Sequence, residues 1–539
     1  MSSVFVPNVG VAHGPTRPER LAVRVLQLGA VAAVLVASTY RIFELDRFFV
    51  PKELVLHLTA IAVGLLVLGA VRRTEATRVD LLLAGFLLVS ALSAGFATNH
   101  WAALRALAIT VSGVALFWSA RALRDATLAR PIVVAVAIAA VVAAVTCLMQ
   151  VYGVRTDFFS TNRAPGGTLG NRNFIAHLIA FALPALLLST LRAWRNLGYL
   201  LGAGGVALAI GALILTRSRA AWLGVLAVFV VMALGALFSG PVRRDRRYQW
   251  RTAALLVIAG AGVAAALLLP NSLDWRSDSP YLETARGVVN YREGSGRGRL
   301  IQYGNSLKIL LRDPVFGAGP GNWQVAYPRH AADDDPSLDR SEPGTTSNPW
   351  PSSDWVAFLA ERGLVGASLL ALVIVGLVIA SWRRLRTARD AEEGLSAVAC
   401  LATIAGTATV GAFDAVMLLG WPTLLVWVVL GALWTPETGR RIAVAPPLKV
   451  VAVAIVAVAA GVGALRSAGQ LAAMSIYAGE PGRRGLERAA WLDPGNFRVR
   501  MAAARSYGAR EDGRCSHALA AHGLLPSSRS ASRLAAPCE

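Results

Sequence analysis

The stretch "DPVFGAGPGNW", Asp313 to Trp323, packs three glycines and two prolines into eleven residues. Glycine-rich turns of this kind can cradle phosphates, so the stretch raises the prospect of a nucleotide site. A P-loop, however, needs a preceding strand, a following helix and a Lys-Ser/Thr ending, and none of these is present. Glycine and proline also supply unusual dihedrals in purely structural turns, and that is the default reading of Gly317, Gly319 and Gly321. Nucleotides are found on the inside of a membrane, so the side on which this turn lies decides the matter.

The elements that must hold the turn are written in the composition. Hydrophobic residues make up 55% of the chain and charged residues 16%, and the mean hydropathy is +0.53. Soluble domains carry about 25% charged residues. Apolar runs of the length that an α-helix needs to cross the bilayer recur from end to end. They lie near 24–40, 53–71, 79–97, 104–120, 132–150, 173–191, 198–215, 220–238, 253–270, 363–381, 396–416, 419–435 and 450–467. The sequence therefore predicts an all-α polytopic membrane protein of about 13 transmembrane helices.

The net charge of +21 and pI near 11.0 come from arginines placed between spans, with no basic-aromatic patch of the kind nucleic acid needs. Arg17, Arg20 and Arg24 precede the first span; Arg72, Arg73 and Arg78 follow the second; Arg121, Arg124 and Arg130 follow the fourth. Arg192 and Arg195, then Arg243, Arg244, Arg246, Arg247 and Arg251, then Arg383, Arg384, Arg386 and Arg389, and finally Arg440 and Arg441 continue the series. Every second connection is arginine-dense, and the positive-inside rule puts those connections in the cytoplasm. The expected arrangement is a bacterial cytoplasmic membrane protein with its N-terminus inside and its C-terminus outside. The first span is read as an anchor because no A-x-A cleavage pattern follows it. The expected domains are spans one to nine over 1–270, a large extracytoplasmic loop over 271–355, spans ten to thirteen over 356–467, and an extracytoplasmic tail over 468–539. The glycine turn then falls outside the cytoplasm, and the nucleotide reading fails.

Within the loop, leucines 300, 307, 310 and 311 recur at helical spacing and Pro314 closes the run, which predicts an amphipathic helix over about 298–311. In the tail, "GLERAAWLDPGNFRVRMAAARSYGAREDGRCSHALAAHGLL" has apolar residues at helical spacing broken at Trp491–Asn496. It resembles a tetratricopeptide helix pair, too short for an independent solenoid and expected to lean on the large loop or the membrane surface. Cys515 and Cys538 share an oxidising compartment in this topology, which allows a disulfide between them. Cys147 and Cys400 lie inside spans as apolar filler.

Four motifs in order resemble the bacterial O-antigen ligase and polymerase superfamily. "GGTLGNRNFIAHLIAFALPALLL" (166–188) is similar to its glycine-asparagine entry to a membrane helix, and "LTRSRAAWLGV" (215–225) to its Ser-Arg-Gly-Ala turn, with Ala220 where glycine is common. "GRGRLIQYGNSLKILLRDPVFGAGPGNWQVAYP" (296–328) resembles its most diagnostic stretch: an arginine, an aromatic residue four positions later, an amphipathic helix, and the glycine turn. "SSDWVAFLAERGLVG" (352–366) resembles its closing helix.

The resemblance implies transfer of a glycan from polyprenyl pyrophosphate to an acceptor hydroxyl of a lipid, glycan or protein, without cofactor or metal. The leaving group is a pyrophosphate, so such a site needs fixed cations, and the forked guanidinium suits phosphate oxygens. Arg219 and Arg299, the latter at the position of the family's second essential arginine, are the candidate catalytic cations. Arg217, Arg297, Tyr303, Gly319, Gly321, Asn322 and Ser352 are candidate substrate-binding residues. An arginine at a span end also serves as a snorkelling anchor, and that reading leads for Arg217. The family's histidine before the closing helix, thought to activate the acceptor, is replaced by Ser352, whose hydroxyl is no base near neutral pH. His330 and Asp354 are the candidate substitutes, against the alternatives of a solvated loop histidine and a helix cap. Asp414, a carboxylate in the outer half of a span, is unusual, and a structural hydrogen-bonding role for it is open. The leading function is thus a ligase or polymerase acting on lipid-linked glycan in the membrane. The alternative is a non-catalytic relative that binds such glycan, or that scaffolds envelope-assembly partners through its tail.

Overall fold

The computed structural model describes residues 14–40, 44–68, 75–275, 277–287, 293–436, 442–508 and 511–538. Arg72, Arg73, Arg440 and Arg441 lie outside them.

The first part of the chain is a run of apolar helices: α1 (Arg17–Leu35), α2 (Glu44–Leu68), α3 (Arg78–Gly95), α4 (His100–Asp125), α5 (Ala129–Val151), α6 (Arg172–Leu191), α7 (Asn196–Thr216), α8 (Arg219–Phe238), the short α9 (Gly240–Arg244) and α10 (Arg246–Leu268). A polar region follows with α11 (Pro280–Arg286), α12 (Gly294–Arg312) and α13 (Trp323–Ala326). The bundle then resumes with α14 (Asp354–Arg386), α15 (Ala391–Gly411), α16 (Gly420–Leu433) and α17 (Pro446–Ala478). Four short helices close the chain: α18 (Arg483–Leu492), α19 (Phe497–Ser506), α20 (Asp512–Leu524) and α21 (Arg529–Ala535). A two-residue antiparallel ladder joins β1 (Glu75–Ala76) to β2 (Ile442–Ala443).

Among the described residues, eleven helices are long and apolar enough to cross a membrane, fewer than the thirteen expected. The two that fall short have physical reasons. Helix α1 carries Arg17, Glu19, Arg20 and Arg24 in its first half, and its polar start is fixed by a capping box between Thr16 and Glu19. Helix α16 is 14 residues long, about 21 Å of rise, and every one of its residues is buried in the bundle. At the centre stands α6, whose apolar window is 94% buried.

Several arginine-dense connections meet at one end of the bundle. Arg192 pairs with Glu392 at 2.6 Å, Arg247 donates to the Ala193 carbonyl at 3.0 Å, and Arg251 donates to the Leu191 carbonyl at 2.8 Å. The polar region between α10 and α14 covers the opposite end. Helix α12 contains the predicted 298–311 segment, but the predicted stripe faces the other way. Gln302, Ser306 and Ile309 are buried, whereas of the predicted stripe Leu300, Leu307 and Leu311 are exposed by 54%, 47% and 78% and Leu310 is half-buried. The period is right and the packed face is the opposite one.

Helix α14 starts nine residues before the expected apolar span because its first two turns are protein-covered, not lipid-like. It breaks at Gly363 (φ 63°, ψ −172°). The glycine turn plugs that break: Ala318 and Gly319 donate to the carbonyls of Ala360 and Glu361, both at 2.9 Å, and Leu364 donates to the Pro314 carbonyl at 2.8 Å. The two segments cross at glycines because nothing larger fits. A Cβ on Gly317 would stand 2.6 Å from the Ala360 oxygen, and one on Gly363 would stand 2.3 Å from the Val315 oxygen.

The tail is two helix pairs continuous with α17, which runs past the expected span end because helical hydrogen bonding takes no notice of where hydropathy falls. Asn496 caps α19 by accepting from the Val499 amide at 3.2 Å. A disulfide joins Cys515 to Cys538. The tail leans on the large loop and on the turn between α3 and α4. Arg529 meets Asp333 at 2.7 Å, Ser528 donates to Glu342 at 3.0 Å, and Asn99 donates to the Leu524 carbonyl at 3.1 Å.

Candidate functional site

At the loop-covered end of the bundle, a cavity of about 340 Å³ opens where α6 and α8 begin and α7 and α15 end. Among the described residues, five arginines border it: Arg163, Arg172, Arg217, Arg219 and Arg299. Asn171, Asn173, His177, Ser295, Asn348, Trp350, Ser352 and Asp414 also line it. Arg172 and Arg219 are the first residues of their helices, so two helix N-termini bring partial positive charge to the same space. Clustered guanidinium groups and helix N-termini are the chemistry that suits an anion with several oxygens.

Each arginine is held differently. Arg217 closes α7 in the left-handed conformation (φ 55°); its Nε donates to the Thr284 hydroxyl at 2.9 Å and its guanidinium lies 4.7 Å from the Trp275 ring centroid. Arg172 stacks on the same ring at 5.2 Å. Arg219 begins α8 after Ser218 and reaches to the polar loop, donating to the Gly287 carbonyl and, at 2.6 Å, to the Ser295 hydroxyl. Arg299 comes from α12, and its buried Nε makes no hydrogen bond within the protein. Arg219 and Arg299 thus line one cavity across 80 residues of chain.

The remaining sequence candidates divide. Ser352 lines the cavity. Tyr303 stands behind its edge, with its hydroxyl 2.8 Å from the Ser352 carbonyl and 2.9 Å from the Ala412 carbonyl, tying the segment before α14 to the end of α15. Arg297 is exposed and does not line the cavity. Nor do Gly319, Gly321 and Asn322, contrary to their reading as candidate substrate-binding residues. Gly319 (φ 96°) packs on Ala97 and Gly321 (φ 69°) on the Ala102 carbonyl. Asn322 clamps the α3–α4 turn, its oxygen accepting from the Asn99 amide at 2.7 Å and its nitrogen donating to the Asn99 carbonyl at 3.0 Å.

Neither candidate base faces the cavity. His330 borders a separate pocket with Arg312, Phe316 and Arg329. Partial burial first, then Arg312, Lys308 and Arg329, hold its pKa below the usual histidine value. Asp354 is fully buried, and its two oxygens accept from the amides of Val416 and Met417, each at 2.9 Å. It fastens the α15–α16 connection and does not line the arginine cavity.

Sequence reasoning passed over Arg163, Arg172 and His177, and left Asp414 without a role. His177 is buried in α6, and neither ring nitrogen is hydrogen-bonded. Its Nε2 lies 4.0 Å from Asp414 Oδ2. A histidine inside the otherwise apolar run "FIAHLIAFA" was the available signal.

No curated protein matches the chain. Residues 204–371 match the family model described as O-antigen ligase, a span running from α7 into α14 and holding Arg217, Arg219, Arg299 and Ser352. The other half of the cavity lining, from 163 to 177 and at 414, lies outside the match. Over that segment the chain is similar to the O-antigen ligase family, and the match supports a relation to the O-antigen ligase and polymerase superfamily.

Proposed function

We propose that this protein transfers a glycan from polyprenyl pyrophosphate to an acceptor hydroxyl at the outer face of the bacterial cytoplasmic membrane, as a ligase or polymerase. The observation that carries this reading is the gathering of five arginines in one cavity at a span-end surface. A pyrophosphate on a membrane-anchored lipid reaches only headgroup depth. Cations that serve it must come from span-end turns, here Arg172, Arg217 and Arg219, and from a covering helix, here Arg299. Fixed guanidinium groups in a partly dehydrated cavity favour the charge that develops on the leaving pyrophosphate over the charge of the ground state. The arginine-dense connections at the opposite end support an inside location for that end and an outer location for the cavity and tail. The tail's disulfide supports the same sidedness.

A second reading has a specific observation in its favour: His330 and Asp354, the two bases offered by the loop, both miss the cavity. A relative that binds lipid-linked glycan without transferring it, or that assembles partners through its helical tail, would need no base at all. Incubating the purified protein in nanodiscs with lipid-linked oligosaccharide and a hydroxyl acceptor separates the two. Release of polyprenyl pyrophosphate together with a glycosylated acceptor is the expected result, and tight donor binding without release would select the non-catalytic reading.

A further inference from the structure

The cavity contains a pair of titratable groups that the proposed grip on pyrophosphate does not use. His177 sits one and a half turns along α6 from Arg172, about 7.5 Å deeper by helical rise, and its side chain is 1% exposed. Buried imidazoles ordinarily satisfy at least one nitrogen, yet both nitrogens of His177 lack a hydrogen-bond partner. Asp414 approaches from the α15–α16 connection; its Oδ1 accepts from the Ala415 amide at 2.9 Å, and its side chain is 18% exposed to the cavity. The 4.0 Å between Nε2 and Oδ2 is beyond hydrogen-bond reach. It is near enough for the carboxylate to stabilise an imidazolium by Coulomb attraction. Nε2 is therefore not consumed by Asp414.

The geometry points to His177 as the general base that accepts the proton of the acceptor hydroxyl, with Asp414 as the residue that positions and charge-stabilises it. This inference rests on the transferase reading above. It resolves the substitution of Ser352 for a histidine: the imidazole reaches the same cavity from the other wall, carried on a rigid central helix. The step balances as follows. The acceptor O–H gives its proton to Nε2 of His177, and the oxygen forms a bond to the anomeric carbon of the donor sugar. The bond from that carbon to the pyrophosphate oxygen breaks, with its electron pair leaving on polyprenyl pyrophosphate. The imidazolium then returns its proton to solvent or to the departing pyrophosphate. The charges facing His177 are Asp414 from the α15–α16 connection and Arg299 from α12, with Arg217 and Arg219 at the α7–α8 turn and Arg163 and Arg172 at the entry to α6 completing the cavity. Asp414 favours the protonated ring and the arginines oppose it.

The test compares wild type with His177→Gln, His177→Asn and Asp414→Asn in nanodiscs, reading donor binding, transfer rate and the pH–rate profile. Absence of transfer by wild type itself would dispose of the transferase reading and is told apart at once. Given an active wild type, the histidine variants are expected to bind donor within about twofold and to lose transfer by about 100-fold or more, with the acid limb of the profile gone. Asp414→Asn is expected to keep that limb and move it to lower pH, because removing the anion makes the imidazolium less stable. Transfer by either histidine variant within about threefold of wild type would overturn the proposal. So would loss of donor binding in step with transfer in both histidine variants, or an unchanged pH profile in Asp414→Asn.

Discussion

Arg219 was legible as a candidate because a guanidinium at the end of an apolar run is conspicuous, and Arg299, in the polar loop, only because its surroundings resemble the family's diagnostic stretch. The arginines at 163 and 172 were not, since nothing local says that the segment before α6 folds back beside the α7–α8 turn. Asp354 misled for the opposite reason: a carboxylate opening a helix after a polar loop has the pattern of an exposed group, and only tertiary packing shows that it holds the amides of Val416 and Met417. The proposed grip predicts that Arg219→Lys and Arg299→Lys each reduce transfer by about 100-fold while leaving the protein folded. Lysine keeps the charge but loses the planar two-pronged donor set. Polyprenyl pyrophosphate release measured at saturating donor checks this, and full activity in the double lysine variant would remove the arginines from the mechanism.

Among the elements, long apolar runs announced themselves, while their ends did not. The extra turns of α14 and α17 beyond their apolar cores are covered by protein, so hydropathy could not find them. The stripe on α12 had the correct period but gave no information on which face would pack, and the polar face of Gln302 and Ser306 turned inward. The glycine turn is the clearest case of a motif whose type was readable and whose task was not. Its glycines allow a backbone crossing with α14, where the loop's amides bond the carbonyls freed at Gly363. Gly363→Ala should therefore destabilise the protein by on the order of 1–3 kcal/mol or more, since it adds left-handed strain to a backbone collision. Gly304→Ala, on an exposed face of α12 with nothing within 4 Å, should be neutral or slightly stabilising. Thermal unfolding in detergent, followed by size-exclusion, distinguishes the two; equal behaviour would mean the crossing is not rigid.

For the molecule as a whole, the alternation of arginine-dense connections gives a sidedness that reporters can check. Fusions after Arg247 and Arg386 should read cytoplasmic, and fusions near Asp335 and at the C-terminus should read extracytoplasmic. A cytoplasmic C-terminus would put Cys515 and Cys538 in a reducing compartment. Their bond closes 23 residues of chain, and the Cys515→Ser, Cys538→Ser double variant is expected to lower the stability of the tail by about 3 kcal/mol. Limited proteolysis of membranes with and without reductant measures that loss.

The contacts of α21 and its cap Ser528 with the loop also set an order in time. Asp333 and Glu342 are met by Arg529, Ser528 and Ser530, residues nearly two hundred positions later. The loop that neighbours the arginine cavity is thus fastened by a segment synthesised well after it. Every described span can be inserted while those contacts are still unmade, and the fastening of the loop must wait for the folding of the tail. A chain stopped after α17 should accordingly reach the membrane at normal levels yet be cut by added protease within 331–347, where the full-length protein resists.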